Sequence, residues 1–233
     1  MSSLSPLADP RIQVVSSCAE LLATPFAGGK NAICWARVLD GDFAAIAAHF
    51  APRAGRRPID ESELRQLPAP PALRAAIDTL LADLAALRAA GHEPSLECLR
   101  DYPRDPDPLL PTDVYSFHAD RAEVPIATLL CSYTGAASEA LPNDAAERLV
   151  DRPALRAALR ERFGGSDPLA FAAWLREHHY DLHYGPRPGG QPYSFGLGNL
   201  WRIAVEHPGA AVPPCLHRAP DPPDRPPRLL LIS

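Results

Sequence analysis

The chain has 233 residues and a mass of 25.1 kDa, a length that favours one domain. Apolar residues make up 46% and charged residues 22%, which excludes wholesale disorder and a coiled coil, and 28 prolines keep long uninterrupted helices from dominating. The net charge of −5, with Lys30 the sole lysine among 23 basic residues, supplies no field for nucleic acid or an anionic membrane and leaves small molecules or proteins as partners.

In chain order, Asn31 to Val38 reads as a short strand, and Gly41 to Phe50 as a helix with Phe43, Ile46 and Phe50 on one face. Between Pro71 and Gly91 the residues Leu73, Ile77, Leu80, Leu81, Leu84 and Leu87 recur at helical steps, and Gly91 offers a C-terminal stop. Past a proline-rich joint at 103 to 111, Val114 to His118 and Ile126 to Tyr133 read as strands. Helical periodicity returns at Asp151 to Phe163, with Asp151 as N-cap, and at Asp167 to His178. Tyr193 to Phe195, Leu200 to Val205, Ala211 to His217 and Arg228 to Ile232 read as strands again. Helices decorating a sheet drawn mostly from the second half predict an α+β fold.

No apolar run approaches the roughly 20 residues of a membrane span. The opening residues lack the pattern of a secretory signal. Five cysteines without a CxxC pair fit reduced thiols, so a cytoplasmic location is expected.

Candidate chemistry begins at His118-Ala119-Asp120, which closes a predicted strand. Residues i and i+2 of a strand share a face, so one strand offers an imidazole and a carboxylate to one metal. His217, at the end of another predicted strand, would complete the two-His-one-carboxylate triad of non-haem Fe(II) oxygenases. Ten residues separate it from Arg228, whose guanidinium suits the distal carboxylate of 2-oxoglutarate. Chance alone supplies about 0.6 H-x-D and about 0.8 H-x10-R matches in such a chain. Both patterns in fact recur, at His179 with Asp181 and at His207 with Arg218. Context favours His118, since His179 ends a predicted helix. The cluster His178, His179 and His183 reads as a solvated helix end, because a closed zinc site needs further ligands. Gly196-Leu197-Gly198 reads as a turn between strands rather than a dinucleotide loop.

The run FHADRAEVPIATLLCSYTGAASEALP, with AICWARVL upstream and PPCLHRAP before PRLLLIS, resembles the bacterial DUF1826 family, over about Ala32 to Ile232. That resemblance implies no activity and marks His118, Asp120, His217 and Arg228 as the family-like positions. The order H-x-D, His, Arg is also similar to the Fe(II)/2-oxoglutarate-dependent oxygenase superfamily, whose fold is a double-stranded β-helix, or jelly roll. This implies a single domain over 1–233, with a largely helical part at 1–110 and a jelly-roll core at 111–233 interrupted by helices at about 144–180. His118, Asp120 and His217 would then hold iron and Arg228 would anchor 2-oxoglutarate. Many members place Ser or Thr two residues after the arginine. Leu230 stands there in this chain, and Tyr133 is offered as the replacement hydroxyl.

The expected function is oxidation of a small-molecule substrate, with Arg121, segment 103–111 and loop 183–193 as candidates for substrate selection. The alternative is a non-catalytic jelly roll holding zinc or iron, because the same ligands suit zinc. Arg228 separates the two: it either faces the metal site or pairs with Asp221 or Asp224 at the surface. An exposed sheet edge would leave room for a homodimer.

Overall fold

The computed structural model describes residues 9–68, 70–221 and 226–233. In chain order its elements are β1 (Ile12–Val15), α1 (Cys18–Ala23), β2 (Ala32–Trp35), α2 (Phe43–Phe50), β3 (Arg56–Pro58), α3 (Glu61–Gln66), α4 (Pro71–Ala89), β4 (Ser95–Leu99), β5 (Phe117–His118), β6 (Ala127–Thr134), β7 (Glu139–Leu141), β8 (Ala146–Arg148), α5 (Pro153–Phe163), α6 (Pro168–Glu177), β9 (His183–Pro186), β10 (Tyr193–Ser194), β11 (Leu200–Ala204), β12 (Leu216–Arg218) and β13 (Arg228–Ile232). The fold is mixed α+β with two sheets. One has the order β1-β2-β11-β6-β13-β4-β3 and the other β10-β7-β12-β5-β9-β8. All pairings are antiparallel except β1 with β2. Among the described residues no helix is long and apolar enough to cross a membrane.

The first 110 residues are not the largely helical part that the jelly-roll resemblance implies, since strands alternate with the helices there. They supply β1 to β4, four of the seven strands of the larger sheet. Strand β4, SLECL, is buried from Leu96 to Leu99 and so shows no alternation for a reader to find. Other bounds shift modestly. Only Phe117 and His118 of the predicted Val114 to His118 strand pair, and only Leu216 to Arg218 near His217. Arg152, not Asp151, precedes the first turn of α5. Asp167 does cap α6, accepting from the Leu169 N–H. Gly196 and Gly198 form the expected turn, both at positive φ.

Helices α2 and α4 cover one face of the seven-stranded sheet. The α4 stripe Ile77, Leu80, Leu84 and Leu87 is fully buried there, each side chain contributing about 1.5–3 kcal/mol. The opposite face of that sheet meets the six-stranded sheet through Ile12, Leu130, Trp201 and Leu230 on one side and Ala140, Tyr193 and Cys215 on the other. Helices α5 and α6 carry their own apolar cluster around Phe171 and Val150.

One residue of the α4 stripe is charged. Asp83 is buried and takes two hydrogen bonds from Arg37, at 2.7 and 2.5 Å, and one from the Tyr133 hydroxyl at 2.6 Å. Arg37 also donates to the Gly198 carbonyl, so one buried carboxylate ties α4 to β6 and to the turn before β11. Burial opposes the Arg37 charge, but Asp83 more than restores it. Asp83→Ala is expected to lower the urea unfolding free energy by about 3–5 kcal/mol, because it strands a buried guanidinium; a loss below about 1 kcal/mol would show that water reaches Arg37.

A second carboxylate fixes the proline-rich joint. Asp107 accepts from the Leu109 N–H, from Arg162 on α5 and from Tyr180 after α6. The Arg162 guanidinium holds the Asp107 carboxyl well below the usual carboxylate range, with burial opposing and Tyr180 assisting. A carboxyl depressed in the folded state stabilises fully above its unfolded value of about 4, and that contribution fades as pH falls toward the folded value. Asp107→Asn should therefore lower the melting temperature at neutral pH, with the gap from the parent narrowing below about pH 4. A gap of constant size through that range would assign the effect to packing alone.

Candidate metal centre

Two short strands bring the candidate ligands together. In the six-stranded sheet β12 pairs with β5 in the register His217 to His118, so the two side chains stand on one face with ring centroids 4.6 Å apart. Alternation sends their neighbours Phe117 and Leu216 to an apolar cluster on the other face. Asp120 follows His118 by two residues, and its oxygens lie 3.8 Å from His118 Nε2 and 3.7 Å from His217 Nε2. One ligand atom from each of the three lies within 4.8 Å of the others.

Backbone carbonyls set the proton on each ring. The His118 Nδ1 donates to the Ser116 carbonyl at 2.9 Å, and the His217 Nδ1 to the Cys215 carbonyl at 3.4 Å. A carbonyl only accepts, so the hydrogen sits on Nδ1 and each Nε2 turns a lone pair toward Asp120. Thr128, on β6 of the facing sheet, donates to Asp120 Oδ2 at 2.5 Å. Burial, and then the His217 ring, push the His118 imidazole down, which keeps it neutral. Burial raises Asp120, yet the His217 ring, the Thr128 hydroxyl and His118 together bring it below its usual value. Two ring nitrogens and a carboxylate thus converge at distances too long for hydrogen bonds. Such a set suits a divalent cation.

The three ligands line a cavity of about 180 Å³ between the sheets, together with Thr128, Leu230 and Arg228. Arg228 is 7% exposed, and burial lowers its pKa. Its Nη2 donates to Ser138 Oγ at 3.0 Å and Ser132 Oγ at 3.3 Å, while its buried Nε has no partner. Asp221 pairs with Arg104 instead, and Asp224 lies outside the described residues. No carboxylate pairs with Arg228 among the described residues. Gly135 makes room for the side chain: it lies at φ +82°, and a Cβ there would stand 2.8 Å from Arg228 Cγ.

Two sequence expectations are corrected. Tyr133 cannot supply a hydroxyl to this cavity, because β6 alternates. Thr128 and Leu130 face the cavity, whereas Leu129, Cys131 and Tyr133 face the helices, and the Tyr133 hydroxyl is taken by Asp83. Ser132, in register with Leu230, and Ser138 provide hydroxyls beside Arg228 instead. His183 is not part of a solvated helix end. His178 and His179 are exposed there, but His183 opens β9 and is buried beside His118. Thr128 is the first polar residue of β6, which also holds Ser132 and Thr134. Ser132, Ser138 and the buried Glu97, which also lines the cavity, carry no signal of their own.

Comparison with protein-family models, with curated proteins and with solved structures gives no match.

Thr128→Val keeps the shape of the side chain and removes the hydrogen bond that orients Asp120. Titration with Co(II), followed by its visible absorption, should show affinity reduced about 10- to 100-fold with the fold intact. An unchanged affinity would mean that Asp120 is positioned without Thr128 or is no ligand.

Proposed function

We propose that this protein is an Fe(II)/2-oxoglutarate-dependent oxygenase of a small-molecule substrate, built on a jelly-roll core and related to the DUF1826-like proteins. The observation that carries the reading is the meeting, in one cavity, of the His118, Asp120, His217 cluster with a buried arginine that lacks a carboxylate partner among the described residues. Burying a guanidinium without a counter-ion is costly, and a carboxylate ligand offsets that cost. Two largely antiparallel sheets packed face to face, with the ligands on the inner face of the smaller one, support the jelly-roll assignment.

In this reading His118, Asp120 and His217 hold the metal on one side. Arg228 takes the distal carboxylate of 2-oxoglutarate by its free Nε–H and its Nη2, while Ser132 and Ser138 orient it. Iron and 2-oxoglutarate held there would supply the activation of dioxygen, one oxygen atom ending in the succinate formed with carbon dioxide from 2-oxoglutarate and the other serving to oxidise a substrate C–H bond. Leu130, Leu230 and Ile232 provide an apolar wall that limits water in the cavity.

Anaerobic titration of the apoprotein with Fe(II) and 2-oxoglutarate tests this by the visible charge-transfer band of the chelated pair. The band should appear in the parent and vanish in His118→Ala. In Arg228→Ala the 2-oxoglutarate dependence should weaken about a hundredfold, the worth of two charge-assisted hydrogen bonds. Iron or zinc binding without that band, and an Arg228→Ala variant that behaves as the parent, would establish the non-catalytic metal-binding protein instead.

A further inference from the structure

The metal-site residues form a partition between two chambers. His118, Asp120 and Val114 line the cavity that holds Arg228, and the same three line a second cavity of about 220 Å³. No residue of the seven-stranded sheet contributes to the second one; its other polar walls are Thr112, Asp113, Arg121, His179 and His183. A ligand in it would lie against the triad without competing for Arg228.

The two chambers differ in what they offer. Arg121, the one guanidinium of the second cavity, is committed to ion pairs with Asp181 and Glu206. What remains are acceptors. His183 is 4% exposed and stands level with His118 on the adjacent strand, the rings 5.9 Å apart. Its Nδ1 meets the Ser116 hydroxyl. That hydroxyl has a single hydrogen, and the Asp113 carbonyl 3.2 Å away is an acceptor for it; in that arrangement the Ser116 oxygen accepts and His183 Nδ1 carries the proton. The lone pair is left on Nε2, which no described residue engages by a hydrogen bond. Asp113 adds a carboxylate to the same wall.

His179 gives an independent mark of the same place. It is the one non-glycine residue at positive φ among the described residues, at +59°, just past the end of α6. Such positions ordinarily hold glycine, and a histidine retained there at a steric cost lines this cavity.

We infer that the second cavity is the substrate chamber and takes a small molecule bearing an amine or ammonium group, whose N–H groups are received by His183 Nε2 and the Asp113 carboxylate. The role of the chamber as a substrate site rests on the oxygenase reading; its preference for amines does not. Carboxylates and phosphates are disfavoured there, because the chamber has no uncommitted cation.

The test uses the full chain labelled with 15N-histidine, with n-butylamine and butyrate as probes of similar shape and opposite charge. Two-bond 1H–15N spectra should show His183 as the Nδ1–H tautomer and a saturable shift of its Nε2 with butylamine, not with butyrate. His183→Asn retains a donor toward Ser116 but removes the group at Nε2, and should weaken butylamine binding at least about tenfold, read from the shifts of neighbouring histidines. His183→Gln restores an acceptor near the Nε2 position and should recover most of it. The opposite tautomer, no saturable butylamine shift, equal binding of butyrate, or parental affinity in His183→Asn would each overturn the inference. The iron and 2-oxoglutarate band, recorded on the same preparations, separates the two ideas. Its absence with amine binding intact removes the oxygenase alone, and its presence without amine binding removes the chamber alone.

Discussion

The two-residue period of β6 is the constraint on which the structure turns. This eight-residue strand lies at the centre of the larger sheet and serves both of its faces. Leu129, Cys131 and Tyr133 complete the core under the helices, and Thr128 and Leu130 form the floor of the cavity. A slip of one residue would exchange the two sets, withdrawing the Thr128 hydroxyl from Asp120 and the Tyr133 hydroxyl from Asp83. Two carboxylates, the buried Asp83 and the half-buried Asp120 of the candidate metal site, thus depend on one register. The register is secured by the apolar helix-facing set, whose burial leaves no competitive alternative.

The candidate metal site shows how little regular structure is needed once the surroundings are rigid. β5 has two residues and meets β12 at a single pair, yet each imidazole is fixed twice, by its place in the ladder and by a carbonyl on Nδ1. The ordering cost has been met before any ligand arrives. The folded chain in turn carries a buried arginine with an unsatisfied Nε, a feature that costs it stability.

Much of this was legible in the sequence where one signal was enough. The α4 stripe, the H-x-D pair and the turn at Gly196 rest on spacing alone, and the strand parity that joins His118 to Asp120 follows from local geometry. What escaped depended on pairing between distant segments. β4 looks featureless because both of its faces are buried, and β3 is too short to show a pattern. His183 read as solvated because it follows a helix end with exposed histidines; only its pairing with β5 draws it inward. Tyr133 was misassigned for a simpler reason. Counting from Thr128 places it on the opposite face, but nothing in the sequence says that Thr128 rather than Leu129 faces the cavity.

The close fit of Gly135 against Arg228 has an evolutionary consequence. A φ of +82° already limits that position to glycine, with asparagine as the nearest substitute, and the approach to Arg228 Cγ removes even asparagine. Drift at position 135 is therefore limited by what β13 carries: any side chain there would press on the Pro227 carbonyl and on Cα and Cγ of Arg228, and would displace the start of the strand that holds the guanidinium in the cavity.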